Sequence, residues 1–171
     1  DWANSVYNLV ISSAIFPIFF EKITTAAYKA KMFPNLTSEK LSAISVRTED
    51  VTSLFFGVEL TSSILYTYVL SASFLVVSIL SPILSGIADY SGKKKFFMKF
   101  FCYLGALSCF GLYFFDAKNI EISMVPFFLA SIGFWSSLVF YNSFLPEIAE
   151  PEDQDRVSAK GFSMGYIGSM V

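Results

Sequence analysis

The sequence predicts an all-α membrane protein, on three observations. The 171 residues are 54% hydrophobic, with 20 Phe, 15% charged residues and a mean hydropathy of +0.58, too apolar for a soluble domain of this size. The apolar residues fall in long uncharged runs rather than amphipathic stripes, and about 20 such residues cross a hydrocarbon core of about 30 Å. Between two of these runs lies a block of basic residues, Lys93-Lys94-Lys95 with Lys99 close behind. Such a block marks a short, wet turn joining two membrane helices.

The first helix is expected over residues 2–22. No charge interrupts it before Glu21-Lys22, and Pro17 is placed to kink its far end. Ser5, Asn8 and Ser12 recur at i, i+3 and i+7, so they share a face that turns to a cavity or to another helix rather than to lipid. Residues 23–59 are polar, with acids and bases in balance, and are expected to form an extracytoplasmic loop. Asn35-Leu36-Thr37 within it has the pattern of a glycosylation sequon.

The second helix fills the charge-free run 60–88. That run is longer than a straight span requires, so the helix tilts or begins outside the bilayer. Glu59 stands at its head, at the wet end of the helix or on an outer vestibule. Gly92 permits the sharp turn that follows, since it tolerates positive φ. The third helix is expected over 97–115. Its Cys102 and Cys109 are seven apart on one face and pack rather than bridge.

The fourth helix is expected over 122–145. Ser131, Trp135, Leu138 and Asn142 share one of its faces, while Ala130, Gly133 and Ser137 let a neighbour approach. Trp135 near mid-membrane either walls a binding site or packs in the interior. Five acids follow between Glu147 and Asp155, at a spacing that fits no Ca²⁺ loop. A fifth helix starts at 158 and runs to 171, with Gly161 and Gly165 on one face. The chain opens without Met and stops inside an apolar pattern, and so is expected to be part of a longer protein. Basic residues divide six and six between the two ends of the helices. Density places the lysine turn in the cytoplasm.

Composition also excludes. A net charge of −2 gives no nucleic-acid footprint. With no His, no metal cluster and no nucleophile elbow, an enzyme is the least supported class, and no cofactor is expected.

Asp89, Gly92, Lys93 and Lys94 fit the pattern G-x-x-x-D-x-x-G-[RK]-[RK], with Ser85 in place of the first glycine. This resembles the loop between helices 2 and 3 of major facilitator superfamily transporters. Three blocks, the turn among them, carry a closer likeness. They are Asp1–Tyr7 with Ile15-Phe16-Pro17, then Ser81–Lys95, then Phe140–Ala149 with Asp155–Phe162. Together they resemble the "unknown major facilitator" branch, which includes vacuolar amino-acid effluxers linked to autophagy. The resemblance implies a twelve-helix transporter, of which about four and a half helices are present here as the N-terminal part.

It also implies an activity: alternating access of a small solute, such as an amino acid, through a lipid bilayer. A cytoplasmic latch of Asp89, Lys93 and Glu147 is implied as well, with Gly92, Lys94 and Arg156 beside it. Lys93 stands where the family more often has Arg, a point charge without the bidentate fork. The substrate cavity is expected to draw on Asn8, Ser12, Trp135 and Asn142, all neutral. Residues 122–146 hold no charge, so a coupling proton or ion has no carrier there. The membrane is the bacterial cytoplasmic membrane, or the vacuolar membrane in a eukaryote. The alternative is a non-transporting scaffold or receptor on the same fold.

Overall fold

A computed structural model describes residues 2–36, 40–41 and 44–170, with the side chains of Trp2, Ala3 and Thr48 left aside. Four stretches are helical, long and apolar enough to cross a membrane: Asn4–Met32, Ser62–Ser91, Lys94–Phe114 and Ala117–Ile148. Lipid offers the backbone no hydrogen bonds, so each crossing segment must satisfy its own, and helices do so.

The first span is discontinuous. Helix α1 covers Trp2–Tyr7, and Asn8–Ser13 then widen into a π-helix. At its end the Ala14 N–H donates to the Leu9 carbonyl, five residues back, at 3.1 Å. The backbone breaks at Ala14 (φ −131°, ψ −63°) before α2 resumes over Ile15–Met32. Pro17 contributes to the break, because it has no N–H to offer the Ser13 carbonyl. Tyr66, from the next span, donates its hydroxyl to the Ser12 carbonyl at 2.8 Å.

Helix α2 continues ten residues past its expected end at 22. Glu21 and Lys22 mark where the chain leaves the apolar run, not where the helix stops. Helix formers such as Ala26, Ala27 and Lys29 carry it on into water, and Lys29 and Lys31 sit in its last turn, where cations suit the helix dipole.

The segment expected as a loop contains an antiparallel hairpin, β1 (Thr52–Phe55) and β2 (Val58–Thr61), with Phe55 opposite Val58. Its turn is Phe56-Gly57, both with positive φ (47° and 83°), the geometry whose twist matches paired strands. The Phe56 N–H donates to Glu121 Oε1 at 2.7 Å, which ties the hairpin to the head of the fourth span. Asn35 is exposed, while Thr37 of the sequon lies outside the described residues.

Helix α3 (Ser62–Ser91) would extend about 45 Å at 1.5 Å per residue, well beyond a hydrocarbon core of about 30 Å. It ends on Gly92 in the left-handed conformation (φ 64°), and the Lys93 N–H returns to the Ala88 carbonyl. Helix α4 (Lys94–Gly111) starts three residues before its expected boundary. The Asp116 carboxylate accepts the Lys118 N–H in the next turn, which leads into α5 (Ile120–Asn142). A short α6 (Leu145–Ile148) and then α7 (Gln154–Met170) complete the chain.

Helix α5 is the pillar. Two apolar clusters form along it, one around Phe16, Phe20, Leu65 and Phe127, the other around Val77, Ala88, Phe101 and Phe140. It crosses α4 where two glycines meet. A Cβ on Gly133 would fall 2.5 Å from the Gly105 nitrogen and 2.8 Å from the Phe101 carbonyl oxygen. Only backbone fits there, which is how small residues bring membrane helices together. The α2–α3 contact includes a buried hydroxyl pair: Ser62 Oγ donates to Thr24 Oγ1 at 2.8 Å, and Thr24 donates to the Phe20 carbonyl.

Candidate functional site

Two features occupy the lysine-turn end of the bundle, a charge cluster and a cavity. The cluster follows from the Gly92 cap. That reversal brings Asp89, in the last turn of α3, beside the first residue of α4. Lys94 Nζ lies 2.9 Å from Asp89 Oδ1 and 2.9 Å from Glu147 Oε1. Glu147 arrives on α6, whose start is set by Pro146, a residue suited to the first turn of a helix. One lysine thus links the α3–α4 turn to the far end of the α5 span. The Lys94 side chain is 23% exposed, against 61% for Asp89 and 51% for Glu147. Water and salt screen the attraction, so the cluster adds little stability by itself.

The expected triad of Asp89, Lys93 and Glu147 therefore has Lys94 in the basic position. Lys93 is the N-terminal flank of α4 and is exposed. The reason is geometric: the left-handed Gly92 places the next residue off the helix and the one after on its first turn. Arg156 lies apart from the cluster, paired with Asp153 at 3.1 Å just ahead of α7.

The cavity has a volume of about 930 Å³ and lies between the π-segment, α4, α5 and α7. Asn8 and Asn142 both line it, joined by Asn4. Ser12 and Trp135 do not. Ser12 Oγ is buried without a hydrogen-bond partner among the described residues. Trp135 packs edge-on against Phe74 (5.2 Å) and Phe134 (5.3 Å), with its Nε1 buried and without a hydrogen-bond partner among the described residues. Trp135 thus lies outside this cavity, against Phe74 and Phe134.

Residues that the sequence did not assign to a cavity also enter. Tyr7 stacks on Phe134 at 4.1 Å and donates to Ser131 Oγ at 3.2 Å, which holds the first span against α5. Lys95 and Lys99 line the cavity. Their spacing of four puts them on one helix face, a signal present in the sequence. Nothing in the sequence marks Tyr66. Among the described residues no group of three or more His, Cys, Asp or Glu is placed to hold a metal ion.

Comparison with known proteins agrees with this architecture. An uncharacterized MFS-type transporter, YxiO, of Bacillus subtilis (strain 168) is 31% identical over 172 residues, covering 100% of this chain and 33% of that protein. Autophagy-related protein 22 of Coccidioides immitis (strain RS) is 26% identical over 159 residues, covering 85% of this chain and 26% of its own length. The chain thus spans about a third or less of these relatives. No solved structure matches it significantly. The four spans are those of the N-terminal part of a major facilitator fold in an integral membrane protein. The family described as "Vacuole effluxer Atg22 like" matches residues 1–171, end to end, and the chain belongs to that family.

Proposed function

We propose that the full-length protein exports a small solute across a membrane by alternating access. The observation that carries this is the Lys94 bridge. A tie between the α3–α4 turn and the end of α5 suits a device that holds the cytoplasmic end closed in one state and parts in the other. Charges at helix ends are fitted to this role, since a rocking motion of about a residue's width breaks both contacts together. The latch comprises Asp89, Lys94 and Glu147. Gly92 sets the turn, Lys93 supplies positive surface to the headgroups, and Arg156 orders the approach to α7.

The solute enters the cavity beside Asn8 and Asn142, with Ser12 and Trp135 supporting the walls from behind. The lysine turn faces the cytoplasm and the hairpin faces the other side. The membrane is the cytoplasmic membrane in a bacterium, where one relative occurs, or the vacuolar membrane in a fungus, where the other does. A coupling proton or ion finds no charged residue between 122 and 146, so coupling rests on other parts of the full-length protein.

The test is flux in vesicles reconstituted with the full-length protein, against an amino-acid panel, with and without a proton gradient. Solute flux above protein-free vesicles is the expected result. No flux of any solute, in a folded and inserted protein, overturns the proposal.

A further inference from the structure

The break in the first span leaves backbone carbonyls in need of donors. The π-ladder ends with the Ala14 N–H on the Leu9 carbonyl, and the α-ladder resumes with the Ile18 N–H on the Ala14 carbonyl at 3.3 Å. The carbonyls of Val10, Ile11, Ser12 and Ser13 fall between the two ladders. Within a membrane a carbonyl without a donor is costly, because lipid tails offer none. Pro17 has no N–H to give. Tyr66 of α3 supplies the donor instead: its hydroxyl lies 2.8 Å from the Ser12 carbonyl and 3.4 Å from that of Ile11.

Helix α3 thus grips the first span on both sides of the break. Ahead of it Tyr66 holds the π-segment; beyond it Ser62 donates to Thr24 of α2 at 2.8 Å. The Tyr66 ring is seated independently of its hydroxyl, 5.0 Å from the Phe127 ring and 6.3 Å and 6.4 Å from those of Phe16 and Phe20. A ring held in this way delivers its hydroxyl to one place. The two halves of the span also answer to different neighbours. Tyr7 stacks on Phe134 in the first half, where Asn8 lines the cavity, while Phe16 and Phe20 of the second half pack with Leu65 and Phe127. The angle between the halves is therefore set at the break.

We infer that Tyr66 is a positioning residue. Its hydroxyl holds the break open, and so fixes the direction in which α1 and the π-segment present Asn8 to the cavity. The hydrogen bond and its partners lie within this chain; only a consequence for the solute rests on the cavity being the transport site.

The test uses the full-length protein in sealed vesicles, with its native cysteines replaced and Asn8→Cys or Lys93→Cys introduced as a reporter. Tyr66→Phe keeps the ring and removes the hydroxyl. It is expected to change several-fold the rate at which a water-soluble thiol reagent modifies position 8, and to leave position 93 at the parent rate. Pro17→Ala lets the ladder close through the break, with the Phe16 N–H reaching the Ser12 carbonyl. Tyr66→Phe should therefore lower Tm in the Pro17 parent and hardly at all in the Pro17→Ala background. Where Tyr66→Phe alone fails to insert, recovery of insertion by Pro17→Ala reads the same coupling. An equal loss in both backgrounds gives the hydroxyl no part in the break and overturns the inference. So does an unchanged rate at position 8, or a position 8 that never reacts in the parent. Flux of the amino-acid panel in the same vesicles separates the two proposals: if labelling and coupling behave as expected but no solute moves, the transport proposal fails and the role of Tyr66 stands.

Discussion

At the scale of single residues, Lys93 and Lys94 differ by one position and by their whole environment. Lys94 reaches two carboxylates at 2.9 Å, whereas Lys93 reaches neither. Lys94→Gln is expected to change transport rates several-fold without loss of thermal stability, and Lys93→Gln to leave both near wild type. Asp89→Asn should likewise slow the cycle while insertion is intact. Because the groups are exposed, added salt should mimic these variants, and Asp89→Asn should be less salt-sensitive than the parent. Flux against ionic strength checks both. The D-x-x-G-K-K pattern shows that an acid and a lysine meet here. Which lysine does so depends on the φ of Gly92, and a residue string does not display that angle.

At the scale of elements, the α4–α5 crossing makes a sharp contrast. Gly133→Ala forces a methyl into the Gly105 backbone at 2.5 Å and should cost about 1–3 kcal/mol or more, as overpacking does. Gly105→Ala meets nothing closer than 3.4 Å and should shift stability by under about 1 kcal/mol. Thermal unfolding in detergent separates the two. In the hairpin, Phe56 is 75% exposed yet held at φ 47°. Phe56→Asn should gain about 1 kcal/mol by relieving the left-handed strain. Helices α3, α4 and α5 were legible because uncharged runs bounded by charge have one stable form in lipid. The end of α2 and the hairpin were not, because a charge marks the water boundary and says nothing about what the backbone does beyond it. Small residues on α5 were legible as a contact surface, but their partner, Gly105, was not, since pairing is a property of two helices.

At the scale of the whole molecule, the lysine turn and the β-hairpin occupy opposite ends of the bundle. A single cysteine placed at Lys93 and another at Phe56, on a background lacking Cys102 and Cys109, should react with a membrane-impermeant reagent from opposite sides of sealed vesicles. Labelling of both from one side would contradict the architecture. Of the expected cavity set, Asn8 and Asn142 line the same cavity while Ser12 and Trp135 lie outside its lining, because helical spacing fixes a face but not which neighbour covers it. The π-segment has a consequence for the same cavity. Its wider winding amounts to one surplus residue in the first span, and removing any one of Val10, Ile11 or Ser13 would let ordinary α-helix run through. Everything before the deletion would then swing by about 100° around the helix axis, the angle between successive residues. Asn4 and Asn8 would turn away from the cavity while the rest of the bundle kept its place, so the length of that short stretch sets the phase in which two of the three carboxamides face the cavity.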